Sequence, residues 1–269
     1  MKNRPRNRPS ATDRHKSASG RKRTGFGGDM GDDVWVWGVH AAAAALANPK
    51  REIKHALLSR NAAQKLRLDP DHLPAFAKLV EPRALDDHLP DGAVHQGVAV
   101  RAAALEPTAL EDAAAGHGPL LVLDQVTDPQ NVGAIYRSAA AFGVKGVVMQ
   151  TRKAPPLQGA LAKAAAGAVE TVDEIRVVNI ARALDALSDA GWNVVGLAGE
   201  AATSLETALD DTAPTAIVLG AEGTGLRPAV ASACSQLARI PIRADMESLN
   251  VSNAGAIAVY ELARSASNK

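Results

Sequence analysis

Beyond a polar N-terminal stretch, the apolar positions fall into short runs separated by turn residues. Val34 to Trp37 alternates like a strand, and Gly38 opens an Ala-rich helical stretch from His40 to Ala47. Asn48-Pro49 stops that helix, because proline has no amide hydrogen and cannot continue it. Ile53 to Ser59 reads as a second strand. Pro70, Pro74, Pro82 and Pro90 punctuate a polar helix-and-turn region before Gly97 to Arg101, a last short strand. These elements predict a small α/β domain over residues 33–104, near the lower size at which a domain folds alone.

Residues 105–118, Ala-, Gly- and acid-rich, interrupt the apolar periodicity and read as a linker. A second domain, 119–269, then carries apolar runs bounded by turn signals: Leu120 to Leu123, Gly146 to Met149, Val194 to Leu197, Ala216 to Leu219 and Leu237 to Ile240. Ile175 to Val178 is a further candidate strand. Helical patterns lie between them at Val132 to Phe142, Gln158 to Ala166, Ile180 to Ala190 and Pro228 to Ser232, and a helix from about Val251 to Ala263 closes the chain. Strands and helices alternating at this spacing predict an α/β fold with a mostly parallel, helix-covered sheet.

Composition sharpens this picture. The 269 residues are 46% hydrophobic but only 3% aromatic, the mixture that fills parallel sheets flanked by Ala-rich helices. The single cysteine, Cys234, excludes an intramolecular disulfide, a four-cysteine zinc site and an iron–sulfur cluster. No metal-ligand spacing is present, and no metal is expected. No apolar run approaches the roughly 18 residues of a membrane helix, and no apolar segment follows the basic N-terminus as in a signal peptide. The expected location is the cytoplasm, without membrane attachment.

The net charge of +1 hides an asymmetry: nine Lys and Arg against Asp13 alone fall within Met1 to Arg23, leaving 21 basic and 28 acidic residues beyond. Residues 1–32 are therefore expected to be a disordered basic tail, serving either as a polyanion-binding arm or as a solubilising extension.

In parallel sheets, ligands bind beyond the carboxyl ends of the strands, so the residues that follow the apolar runs are informative. Three segments stand out. Asp124 to Arg137 is a polar loop leading into a helix whose apolar stripe is Ile135, Ala139 and Phe142; Arg137 lies about 200° around from Ile135, pointing away from the sheet. Taken alone, that arginine could simply be solvated. Val218-Leu-Gly-Ala-Glu-Gly-Thr-Gly-Leu226 places three glycines and Glu222 directly after a strand. Its GxxGxG spacing differs from the GxGxxG of a dinucleotide site, which disfavours a nicotinamide cofactor. Ile240 to Gly255 is again strand, loop and helix, where Ser248 or Asn250 could cap the helix.

Together and in this order, Asn131-Val-Gly-Ala-Ile-Tyr-Arg137, Leu219-Gly-Ala-Glu-Gly223 and Ser248-Leu-Asn-Val-Ser252 resemble the three motifs of the SpoU (TrmH) family of RNA ribose 2′-O-methyltransferases. Lys163-Ala-Ala-Ala-Gly-Ala-Val-Glu170 resembles a further stretch of that family, with Ala165 where serine is usual. Gly38-Val-His-Ala41 and His95-Gln-Gly-Val-Ala99 resemble the N-terminal substrate domain of its bacterial 23S rRNA guanosine subgroup. Departures are modest: Gln130 stands where histidine is common, Glu247 where a small residue is common, and Asn253 where valine is common.

The resemblance implies a C-terminal α/β-knot (trefoil) methyltransferase domain and an N-terminal RNA-binding domain like ribosomal protein L30e. It implies S-adenosyl-L-methionine as cofactor, RNA (most of all rRNA) as partner, and a homodimer. By matching position it assigns cofactor contacts to Gly220, Ile240 and Leu249, and functional polar roles to Asn131, Arg137, Glu222, Ser248 and Asn250. A guanidinium is a poor base, so Arg137 is expected to orient phosphate and stabilise a developing alkoxide. Other readings are a tRNA 2′-O-methyltransferase and a non-catalytic RNA-binding or ribosome-assembly protein of the same fold. The final-helix positions Val251, Ala254, Ala258 and Leu262 are expected at the dimer face, with packing inside one subunit as the competing reading.

Overall fold

The computed structural model describes residues 33–116, 118–209, 213–243 and 245–267. The basic tail read over residues 1–32 lies outside them. The first sheet is built from β1 (Asp33–Trp37), β2 (Ile53–Leu58), β3 (Ala77–Leu79) and β4 (Val98–Ala103), in the order β1-β4-β2-β3. β4 runs antiparallel to β1 and β2, whereas β3 runs parallel to β2. Helices α1 (Val39–Ala47), α2 (Arg60–Lys65) and α3 (Pro82–Asp86) complete this unit. Ser59 caps α2, its Oγ accepting from Ala62 N at 3.2 Å, and Pro82 occupies the first turn of α3, where its missing amide hydrogen costs nothing. β3 escapes the sequence pattern because three residues are too few to display a period.

After α4 (Leu110–Ala115), which lies within the segment read as a linker, come β5 (Leu120–Leu123), α5 (Pro129–Ala141), β6 (Gly146–Gln150), α6 (Gly159–Ala164), β7 (Asp173–Val177) and α7 (Ile180–Asp189). The chain continues through β8 (Asn193–Leu197), β9 (Thr203–Ser204), α8 (Leu205–Ala208), β10 (Thr215–Leu219), α9 (Pro228–Ser232), β11 (Gln236–Arg239) and α10 (Val251–Ser267). All seven strands pair in parallel, in the order β7-β6-β5-β10-β8-β11-β9.

The central strands β5, β6, β8 and β10 are covered on both faces, which is why they read as continuous apolar runs. Leu121, Leu123, Val147 and Ile217 pack under α5, α6 and α10, while Leu120, Val122, Val148 and Val218 pack under α7 and α9. Burying each such side chain contributes about 1.5–3 kcal/mol. Helix α5 begins at Pro129 rather than at Val132, because Asp128 caps it with Oδ1 accepting from Gln130 N at 3.0 Å. That polar first turn carries no apolar stripe to betray it.

One expectation is corrected. Val251 and Ala258 are buried and Leu262 packs against the same core, so the stripe expected at a dimer face points into its own subunit. The large apolar side chains that α10 exposes are Ile257 and Tyr260; the Tyr260 ring meets Phe142 edge-on at 5.7 Å between centroids. No helix among the described residues is long and apolar enough to cross a membrane.

Candidate active site

The parallel sheet brings the three polar segments to one edge, because β5 and β10 are neighbours and each segment leaves the carboxyl end of a strand. Asp124 N donates to Leu219 O at 2.8 Å, pinning the exits of the two strands together. After β10, Ala221 and Gly225 exchange backbone hydrogen bonds at 3.1 and 2.9 Å, folding Glu222 onto a tight turn. Gly220 admits no side chain: a Cβ there would lie 2.2 Å from the Gly225 carbonyl carbon.

Three of the expected residues converge. Glu222 Oε1 accepts from Asn131 Nδ2 at 3.1 Å and from Asn250 Nδ2 at 2.6 Å, while Asn250 Nδ2 also reaches Asn131 Oδ1 at 3.1 Å. Asn250 also performs the competing role, because its Oδ1 caps α10 by accepting from Ser252 N at 2.9 Å and Asn253 N at 3.3 Å. One amide therefore starts the last helix with its oxygen and joins the first two segments with its nitrogen. Each such exposed bond contributes about 0.5–1.5 kcal/mol, so the triangle orients loops more than it stabilises the fold.

Arg137 and Ser248 stand apart from the triangle. Both are exposed, and neither has a hydrogen-bond or ion-pair partner among the described residues. Arg137 lies on the outer face of α5, whose Ile135, Tyr136 and Ala139 are buried. Gly220, Ile240 and Leu249 are half-buried, Ile240 packing on the core beneath α5 and α10. Within the loop before α10, Arg243 and Asp245 form a two-point ion pair at 2.9 and 3.0 Å, and this arginine holds the Asp245 carboxyl below its ordinary pKa.

Sequence reasoning missed one pair. Asp124, fully buried at the end of β5, accepts from Arg227 N at 3.0 Å and Nε at 2.7 Å. Arg227 precedes α9, so this clamp closes the loop that carries Glu222. The available signal was a lone carboxylate directly after a four-residue apolar strand. Burial, and then the Asp124 charge, push the Cys234 thiol pKa up to about 12, which keeps it protonated at neutral pH.

A cavity of about 400 Å³ lies elsewhere, lined by Thr108, Asp112, Lys145 and Asp173. Lys145 precedes β6 and Asp173 begins β7, which puts this hollow at the amino ends of the strands, the wrong edge for ligand chemistry in a parallel sheet. Among the described residues, no group of three or more His, Cys, Asp or Glu side chains could hold a metal ion.

The model of the SpoU rRNA Methylase family matches residues 118–260, which takes in all three segments and the strands between them. The chain belongs to the SpoU rRNA methylase family. This SpoU methylase is 38% identical over 240 residues to a 23S rRNA (guanosine-2′-O-)-methyltransferase RlmB of Xylella fastidiosa, an alignment covering 86% of this chain and 96% of the relative. An RlmB of Vibrio cholerae is 39% identical over 245 residues, covering 85% and 96%.

Among solved structures, the SpoU methyltransferase AviRb of Streptomyces viridochromogenes, in complex with AdoMet, shares the fold at a TM-score of 0.74 and 20% identity, covering 88% of this chain and 92% of its own. A chain solved for the 2-OH methylation of C/U34 on tRNA is 28% identical with a TM-score of 0.51; the match covers 99% of that chain but 57% of this SpoU methylase.

Proposed function

We propose that this SpoU methylase transfers a methyl group from S-adenosylmethionine to a ribose 2′-hydroxyl of RNA, with a guanosine of 23S rRNA as substrate. The observation that carries this reading is the meeting of Asn131, Glu222 and Asn250 at one sheet edge, with Asn131 on the helix that presents to solvent an Arg137 without a partner among the described residues. The relatives named for 23S rRNA align through the small domain as well as the parallel sheet, whereas the tRNA-related structure is matched along its whole length by little more than half of this chain. That difference favours rRNA over tRNA.

The residues present suit the cofactor. Ile240 and Leu249 offer half-buried apolar side chains for a planar base, and the turn after Gly220 offers unshielded backbone. S-adenosylmethionine supplies an electrophilic methyl group when bound. The chain's own task is to hold the ribose oxygen in line and to stabilise its charge as the proton leaves. Arg137 serves this as a fixed cation that draws the adjacent phosphate and the developing alkoxide, since a guanidinium keeps its proton. Ser248, also exposed, is a donor for the ribose or for Arg137. Glu222 and Asn250 hold the two loops, and Asn131 ties them to α5.

The finer architecture belongs to the same reading: a trefoil knot formed where α10 returns to pack on α5 and β10, and an L30e-like RNA-binding role for the four-stranded N-terminal domain. Two copies are proposed to associate through Phe142, Ile257 and Tyr260, apolar side chains that one subunit leaves in water. Light scattering should give twice the 27.8 kDa chain mass, and Tyr260→Glu should halve it; a monomeric wild type sinks the dimer.

Calorimetry with S-adenosylmethionine and NAD, followed by methyl transfer to rRNA from cells lacking the protein, tests the whole reading. Binding of S-adenosylmethionine and one new guanosine 2′-O-methyl mark are expected. Binding of NAD alone removes the methyltransferase, and transfer to tRNA alone moves the substrate.

A further inference from the structure

The Lys163 to Glu170 stretch contributes no side chain to the triangle, yet it lies between the two domains. On one side, α6 packs against α5 so closely that a Cβ on Gly133 would sit 2.6 Å from Ala164 Cβ and 2.7 Å from Leu161 O. Gly133 is two residues after Asn131 and four before Arg137, so α6 backs directly onto the helix of the candidate site. On the other side, Gly167 has φ +95°, and a Cβ there would meet Ala44 Cβ of α1 at 2.6 Å. The Ala- and Gly-rich composition of this stretch thus lets two surfaces approach a thin wall from opposite sides.

Glu170 locks the second contact. Arg51 Nε and Nη2 donate to its two carboxylate oxygens at 3.1 and 2.7 Å, and Asn48 Nδ2 adds a bond of 2.8 Å. Arg51 Nη1 meanwhile donates to Ala103 O at 2.8 Å, at the end of β4. Both charged side chains are only 2% exposed. Buried this deeply, the pair does little for net stability, but it strongly disfavours any other orientation, because separating the partners would strand two charges away from water. Val36, Ala41 and Ala45 of the small domain join the core that contains Val132 and Leu161, so the lock closes over a continuous apolar contact.

The same junction gathers the small domain's two motifs. Val39 N donates to Gln96 Oε1 at 3.0 Å, and a Cβ on Gly38 would lie 3.6 Å from Lys163 Cγ. His40 and Gln96 are exposed there.

Resting on the RNA methyltransferase reading, we propose that Arg51, Asn48 and Glu170 are positioning residues for substrate selection. They hold the small domain at one fixed offset from the helix that carries Asn131 and Arg137, so the methylated nucleotide is chosen by a rigid distance between two RNA contacts. In this arrangement the small domain is a ruler, and the lock is what makes it stiff.

The test compares the full-length wild type with Glu170→Gln, which keeps shape but removes charge. Amides of residues 39–47 and 159–170 should exchange hydrogen at least about tenfold faster, while those of β5 and β10 stay unchanged. Affinity for S-adenosylmethionine should stay within about twofold, KM for rRNA should rise about tenfold at nearly constant kcat, and methylation should spread to other nucleotides. Asn48→Ala, which removes the Asn48 Nδ2 bonds to Glu170 and the Lys50 N bond to its Oδ1 but spares the ion pair, should shift exchange and KM the same way by a smaller factor. Unchanged exchange in both variants overturns the lock; faster exchange with wild-type KM and a single methylated nucleotide overturns its role in selection. A wild type that methylates no RNA would sink the underlying reading instead, and it is told apart because the lock is judged only against an active wild type.

Discussion

Arg137→Ala should lower methyl transfer by roughly 10²–10³-fold while leaving the melting temperature unchanged. The two halves of this expectation have separate causes. The side chain is exposed, partnerless among the described residues and off the buried face of α5, so its loss opens no cavity and breaks no bond. Its charge suits an oxygen becoming anionic, and a donor to the transition state lost at such a point costs a factor of that size. Arg137→Lys should recover only part of the loss, because an ammonium lacks the planar fork that meets phosphate at two points. Single-turnover rates and thermal melts on the same preparations decide the matter. Near-normal turnover would return Arg137 to an ordinary solvated arginine, and a lowered melting temperature would make it structural.

Asp124→Asn should act in the opposite pattern, lowering stability and cofactor affinity together. The carboxylate is fully buried and engages Arg227 through backbone and guanidinium. An asparagine fits the space but surrenders the charge-assisted bonds, a loss of about 2–3 kcal/mol. For a chain of this size that corresponds to roughly 4–6 °C in melting temperature. Because Arg227 closes the loop that starts at Gly220 and carries Glu222, S-adenosylmethionine should bind about tenfold more weakly as the loop gains freedom. Calorimetry and melting curves measure both. A destabilised protein with unchanged cofactor affinity would show that the clamp serves the core and not the loop.

Much of the fold was legible along the chain. The runs at Leu120, Gly146, Val194 and Ala216 are strands because each is buried on both faces, and that burial is written as unbroken apolar sequence, whereas the run at Leu237 is half-buried with Ala238 alone fully inside. What went unread had no period to read: β3 and β9 are three and two residues long, and the first turn of α5 is set by an Asp128 cap instead of a stripe. The stripe on α10 was read as apolar, which it is, but an apolar stripe does not say whether it faces its own sheet or a second subunit.

The same division holds at the site. Sequence alone picked out the three polar segments and, through their resemblance, offered Asn131, Arg137, Glu222, Ser248 and Asn250 as the candidate residues, because a loop after a buried strand exposes its residue types directly. Only the tertiary structure decided which of them meet. Asn131 and Glu222 are 91 residues apart along the chain, and their hydrogen bond exists because β5 and β10 are neighbours in the sheet. Asp124 with Arg227 and Arg51 with Glu170 depend on the same kind of pairing across more than a hundred positions. A carboxylate and a guanidinium carry no local mark of their partner, since the attraction between them depends on distance in space and on exclusion of water, and folding alone sets both.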